Sequence, residues 1–222
     1  DSLASAYSVL STDEKKLGVA LVDIGGGTTD IIVYYDDGVH HTGVIPYGGD
    51  TITSDIAQGV QTTLEQAEML KCQYGNSKEA QSDTELNIKV NGVGGREPRM
   101  ISQKDLASFI EPRMREIILF SQSEIRKSDI RGALTFGIVL TGGGALLNNI
   151  EDLAYELFGQ PSKIGIPNIE NNGLADTIRD PMYSTAVGLI NFAIDHHDDV
   201  EDGSPIMGAF FERIKDFFSN LF

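Results

Sequence analysis

The chain of 222 residues has no tryptophan, one cysteine, four histidines and seven prolines. A single cysteine, Cys72, excludes a disulfide framework and points to a reducing compartment. No Cys-His signature surrounds it to make a catalytic thiol. Basic residues are also scarce: 17 Lys and Arg stand against 33 Asp and Glu, a net charge of −16. That balance argues against binding nucleic acid through its phosphates, and against purely electrostatic attraction to anionic lipid. No run reaches the roughly 18 apolar residues of a spanning helix, and no signal-peptide pattern is visible. His40, His41, His196 and His197 form two adjacent pairs without a partnering cysteine pattern, and read as solvated turn or linker residues. Hydrophobic content of 41% is enough for a packed core, in one large domain or two small ones.

What is abundant is glycine, and its placement is informative. In residues 19–35, VALVDIGGGTTDIIVYY, a β-branched run ends in Asp23, three glycines follow, and a second such run begins after Thr28, Thr29 and Asp30. A dinucleotide-binding glycine loop opens a helix, but Ile31 to Tyr35 favour extended chain. The glycines therefore turn one strand back into another. Such a turn exposes backbone N–H groups that can cradle an anion, and Asp23 and Asp30 flank it within reach of a hydrated divalent cation. The alternative is a tight turn with no ligand.

Residues 1–16 read as a short helix with a charged end. Residues 17–47 read as a three-strand meander whose second turn is Asp36-Asp37-Gly38. Residues 49–75 carry helical pattern, capped at Asp50 or Thr51 and again at Thr63, with a stop at Gly75. A small β element follows over 76–100. A long helix runs from Ser102 to about residue 128, kinked or split at Pro112. Leu134 to Leu140 reads as a buried strand, and Gly142, Gly143 and Gly144 form a loop that opens a helix at Ala145. Its N–H groups and dipole are suited to a ligand, although it lacks the lysine of a P-loop; simple strand-to-helix packing is the alternative. A strand over 162–166 and a helix over 182–194, with small residues for close packing, complete the body.

Residues 195–205 form an acidic linker. The last segment places Phe210, Phe211, Ile214, Phe217, Phe218, Leu221 and Phe222 on one side of a helix, with charged and polar residues opposite. Such a helix can dock on its own domain, occupy a partner's groove, or lie in a membrane interface. The polar linker frees it to leave the body and favours the membrane. Two bases balance two acids in this segment, so binding is driven by insertion and not by charge.

Together these motifs resemble the actin-like ATPase superfamily, and within it most closely the FtsA family of bacterial cell-division proteins. LVDIGGGTTD is similar to the superfamily's second phosphate loop, and IVLTGGGALL to its adenosine loop. IPYGGDTITSDIA, AEMLK, GGREPR, FIEPR and PMYSTAVGL resemble segments of the FtsA family itself. The resemblance implies an α/β, actin-like (ribonuclease H-like) lobe with a small α+β subdomain inserted, plus the C-terminal amphipathic helix. The implied divisions are a connecting helix at 1–16, a core subdomain at 17–48 and 132–195, an inserted subdomain at 49–131, a linker at 196–206 and a membrane-targeting helix at 207–222.

The resemblance also implies ATP and Mg²⁺ in a cleft between lobes. Gly25, Gly26, Gly27 and Thr28 would meet the phosphates, and Asp23 would lie close to the cation through water. Glu68 and Lys71, one helical turn apart, would contact ribose and adenine, and Gly142, Gly143 and Gly144 would line the adenosine pocket. The implied partners are the C-terminal tail of FtsZ, for which Arg99, Arg113 and Glu116 are candidates, further copies in a protofilament, and an anionic or neutral membrane surface. The implied role is a scaffold tethering FtsZ filaments to the cytoplasmic face of the membrane at the division site, with at most weak ATPase activity. Actin-like sugar kinases, chaperone-type ATPases and pilus-assembly adaptors are the rival readings. The family's first lobe is expected to precede Asp1, so the chain reads as about half of such a protein, and half a cleft should bind nucleotide poorly.

Overall fold

The computed structural model describes residues 2–130, 134–168 and 178–196. Five strands form one sheet in the order β3-β2-β1-β6-β7. They are β1 (Val19–Ile24), β2 (Thr29–Tyr35), β3 (Gly38–Ile45), β6 (Ile138–Thr141) and β7 (Ser162–Ile164). The first three make the expected antiparallel meander, while β6 lies parallel to β1 and β7 parallel to β6. At the β2–β3 turn, Asp36 and Asp37 both take positive φ, 50° and 60°, the requirement of a two-residue turn that follows strand twist.

All six residues of β1 are buried, so both faces of the sheet are covered at this central strand. Successive side chains alternate between the faces. Ala20, Val22 and Ile24 join a large core with α3 (Gly49–Gly59), α4 (Leu64–Tyr74), α5 (Gln103–Arg126) and α6 (Ile150–Phe158). Val19 and Leu21 join a smaller core with Ala6 and Leu10, at and just beyond α1 (Ser2–Val9). Asp23 shares the parity of Val19 and Leu21 and so faces the α1 side. There α7 (Ser184–Asp195) packs closely on α1: a Cβ on Gly188 would collide with the Ala4 backbone. A small residue at position 188 is therefore required by contact.

Between β3 and β6 the chain forms α3, α4, the separate β4–β5 hairpin (Asn87–Val90 and Arg99–Ser102) and α5. Thr63 caps α4 by accepting Gln66 N–H, and Ser102 caps α5 in a reciprocal box with Asp105.

Several local expectations are corrected. The N-terminal stretch is two helices, α1 and α2 (Thr12–Leu17), because Ser11 and Glu14 form their own capping box. The N-cap of α3 is Gly48, and neither Asp50 nor Thr51 caps with its side chain. α5 runs unbroken through Pro112. Burial of Leu106, Ile110, Met114, Ile117 and Ile118, at about 1.5–3 kcal/mol each, outweighs the roughly 3 kcal/mol of an interior proline. β6 starts at Ile138 and not at Leu134, because Thr135 and Phe136 N–H donate to Leu17 and Gly18 carbonyls and Gly137 turns at φ 64°. The Gly142 loop opens a single 3₁₀ turn (Gly143–Leu146), and α6 begins only at Ile150. His40 and His41 lie in β3, where His41 pairs with Glu124 at 3.2 Å.

No helix among the described residues is long and apolar enough to cross a membrane. The linker from residue 197 and the amphipathic segment at 207–222, with Phe210, Phe211, Ile214, Phe217, Phe218, Leu221 and Phe222, lie outside the described residues.

Candidate functional site

The two glycine loops meet. Gly25 and Gly26 from the β1–β2 turn and Gly143 and Gly144 after β6 line one cavity of about 370 Å³. Glu68, Lys71 and Cys72 of α4 line it too, with Gly49, Asp50, Leu147 and Met182. Adjacent parallel strands bring the loops to the same edge of the sheet, since Asp23 is in register with Thr141.

Glycine at three joints allows the close approach. At the first, Gly49 and Asp50 N–H, in the first turn of α3, donate to Gly25 and Gly26 carbonyls at 2.9 and 2.8 Å. A Cβ on Gly48 would come within 2.6 Å of the Gly25 carbonyl oxygen. At the second, a Cβ on Gly75 would collide with Leu147, and Ser77 N–H donates to Asn148 O at 2.9 Å, holding the end of α4 against the adenosine-type loop. At the third, a Cβ on Gly144 would collide with Ile24. Gly25 N–H closes the hairpin onto Thr28 O at 2.9 Å, while the N–H groups of Gly26 and Gly27 have no partner among the described residues. Those free donors are what an anion needs.

The α4 side is a polar network. Lys71 Nζ lies 2.7 Å from Glu68 Oε2 and donates to Gly49 O at 2.9 Å and Thr53 Oγ1 at 2.8 Å. Thr53 also donates to Glu68 Oε2, and Cys72 Sγ donates to Glu68 Oε1 at 3.3 Å. Burial pushes the Glu68 carboxyl up, but the Lys71 ammonium and the Thr53 hydroxyl outweigh it and hold it below the usual range. Burial and the Glu68 carboxylate push the Cys72 thiol up, which makes it a poor nucleophile at neutral pH.

Asp23 is not on the cavity wall. Its Oδ2 accepts Ser5 Oγ–H of α1 at 2.5 Å and Thr185 Oγ1–H of α7 at 3.2 Å. Desolvation raises its pKa despite these donors, and Asp30 adds to the rise. A Cβ on Gly142 would collide with its Oδ1. Thr28 lies at the hairpin and donates to Asp30 Oδ2 at 3.1 Å. Sequence reading missed Gly49, Thr53, Asp50 and Met182; the Gly48-Gly49 pair at the head of a helix was the available signal for the first two.

The partner-type residues separate. Arg113 and Glu116 line a groove of about 780 Å³ on α3 and α5, with Asp55, Phe109, Leu119 and Phe120. Arg113 Nε donates to Asp55 Oδ2 at 2.7 Å, its Nη1 pairs with Glu116, and its guanidinium sits 5.8 Å above the Tyr47 ring. Arg99 stands on β5 opposite Val90 and does not line the groove.

Known proteins share this architecture. MreB5 of Spiroplasma citri, solved bound to ADP, superposes with a TM-score of 0.69 at 20% identity, over 90% of this chain and 60% of that one. The type IV pilus biogenesis complex PilM-PilN matches at a TM-score of 0.63 and 17% identity, over 87% of this chain and 51% of that one. At such identities the likeness shows the fold alone, an actin-like one. Sequence relatives are closer. Cell division protein FtsA of Pseudomonas aeruginosa is 43% identical over 199 residues, 90% of this chain and 48% of that protein. FtsA of Neisseria meningitidis is 45% identical over 195 residues, 86% of this chain and 46% of that protein. The chain thus spans about half the length of the curated relatives it matches. The family profile described as "Cell division protein FtsA" matches residues 20–188. On that match and those identities, the chain belongs to the FtsA family of cell-division proteins.

Proposed function

We propose that the chain contributes one wall of an ATP site in an actin-like scaffold that tethers FtsZ filaments to the cytoplasmic face of the membrane at the division site. The meeting of the two glycine loops with Glu68 in one cavity carries this reading. The cavity volume lies at the small end for a ligand pocket. The unpartnered N–H groups of Gly26 and Gly27 suit phosphate oxygens, and the half-exposed Glu68 carboxylate suits sugar hydroxyls. Among the described residues no three His, Cys, Asp or Glu gather as a metal site. That fits Mg²⁺ arriving with the nucleotide, held by phosphates and water beside a single carboxylate such as Asp50. The bound ion would neutralise phosphate charge; Gly26 and Gly27 orient the phosphates and Glu68 the sugar.

The groove around Arg113 and Glu116 is the surface we assign to the FtsZ tail, within an inserted subdomain at 49–131. Its apolar floor and paired charges suit a short amphipathic peptide. The segment 207–222 is the membrane anchor, and self-association into protofilaments completes the scaffold. Nucleotide would bias conformation or assembly, with little turnover.

Calorimetric titration of Mg-ATP into the full chain tests the site. Weak, saturable binding that is reduced in Glu68→Ala is expected. No binding by the wild-type chain at millimolar nucleotide would overturn the reading.

A further inference from the structure

We propose that Asn76 and Asn149 clasp the second glycine loop to the segment that follows α4, and so fix the nucleoside end of the cavity as a pair of positioning residues. This rests on the nucleotide reading of the cavity. Leu146, Leu147 and Met182 give the cavity apolar wall, which suits a flat base, while the unpartnered N–H groups of Gly26 and Gly27 suit phosphates. Neither Asn76 nor Asn149 lines the cavity. Asn76 is buried, at 3% exposure. Its Oδ1 accepts Lys78 N–H at 2.9 Å and Asn149 Nδ2–H at 3.0 Å. The backbone donor fixes how the Asn76 amide is turned, because only its oxygen can accept Lys78 N–H. The second contact is therefore a donation from the Asn149 amide nitrogen.

Asn149 gives up a local role for this contact. It stands at the N-cap of α6 with φ 61°, a left-handed conformation that asparagine tolerates, and its side chain makes no cap hydrogen bond. A side chain suited to cap the helix is directed at Asn76 instead. Beside it, Asn148 O accepts Ser77 N–H at 2.9 Å and Ser77 Oγ–H at 2.8 Å, and Ser77 is fully buried. Gly75 makes room for Leu147, since a Cβ there would lie 2.5 Å from the leucine side chain. Residues 75–77 and 147–149 are thus held together, and Gly75, Leu147 and Asn148 among them line the cavity. The clasp sets where Leu147 stands without touching what the cavity holds.

Two variants of the full chain remove the clasp in different ways. Asn149→Gly suits the left-handed backbone and adds no charge. Asn149→Asp keeps the side chain's shape but loses the donor. In calorimetric titrations both should weaken adenosine about fivefold, the scale of one neutral hydrogen bond, while Asn149→Gly should hold inorganic tripolyphosphate within about twofold of wild type. Amide hydrogen exchange without ligand gives a second reading: Ser77 N–H should exchange about fivefold faster in both variants. Unchanged adenosine affinity, a loss in only one of the two variants, or equal losses of adenosine and tripolyphosphate overturn the clasp. If wild type does not bind adenosine at millimolar concentration, exchange alone judges the clasp; faster Ser77 exchange supports it and the wild-type rate rejects it. If wild type binds neither adenosine nor Mg-ATP, the nucleotide reading fails as well. If one variant does not fold, the other carries the same expectations for adenosine and for Ser77.

Discussion

Ser5 donates its hydroxyl proton to Asp23 at 2.5 Å, tying α1 to the last turn-facing carboxylate of β1. The strand pleat dictates this contact: Asp23 follows Val19 and Leu21 onto the α1 face, away from the cavity that Gly25 and Gly26 line. A cation at the phosphates would therefore feel Asp23 across the loop, and not as a direct neighbour on the wall.

Asp23 should cost stability when ionised. Its folded-state pKa is raised, chiefly by desolvation. Relative to the unfolded chain, the stabilising effect of its protonated form is full below the ordinary carboxylate pKa and is lost as pH rises through the folded value. Asp23→Asn keeps an acceptor for Ser5 and Thr185 and should raise Tm at about pH 7, with the gain vanishing near pH 4 or below. A variant that melts lower at neutral pH would show that the charge is compensated.

The glycines of the second loop should differ sharply in tolerance. Gly142 has φ 80° and no room for a Cβ beside Asp23 and Ile24, whereas a Cβ on Gly143 meets nothing within 4 Å. Gly142→Ala should lose about 2–4 kcal/mol from strain and overpacking together, and Gly143→Ala less than about 0.5 kcal/mol. Urea unfolding of the two variants checks this; equal midpoints would contradict the loop geometry.

Much of this was legible beforehand, for identifiable reasons. The β-branched runs around Gly25–Gly27 could only be extended, so the hairpin followed, although the α1-side placement of Asp23 was not read from it. Thr63 and Ser102 announced their helices because a capping hydroxyl is a local signal. Long-range contacts had no such signal. Nothing in Leu134–Gly137 indicates that its backbone binds Leu17 and Gly18, and nothing local indicates that Pro112 is outweighed by the buried face of α5. Glu68 and Lys71 were visible as a pair on one helix face, but the acceptors that occupy Lys71, Gly49 O and Thr53 Oγ1, come from α3.

At the groove, Arg113 is held between Asp55 and Glu116 over Tyr47. These groups are a quarter to two-fifths exposed, so the pairs add only about 0–1 kcal/mol. Arg113→Glu should therefore shift Tm by less than about 4 °C. It should weaken an FtsZ tail peptide about tenfold, or 1.4 kcal/mol, through the loss of a cation and the added repulsion. Unchanged affinity by fluorescence anisotropy would remove this groove from the partner assignment.

The terminal segment is expected to act apart from the body. Phe217→Asp should abolish flotation with neutral-lipid vesicles, because insertion and not charge drives binding. Deleting residues 207–222 should leave the melting curve unchanged. Undiminished flotation of the Phe217 variant would refute the anchor, and a lowered Tm on deletion would make the segment part of the core.

The central claim is that both glycine loops serve one nucleotide. Titrating Mg-ATP into the isotope-labelled chain and following backbone amides tests it most directly. Gly26, Gly27, Gly143 and Gly144 should shift together and saturate with a single Kd. Shifts confined to one loop, or two loops saturating at different concentrations, would contradict it.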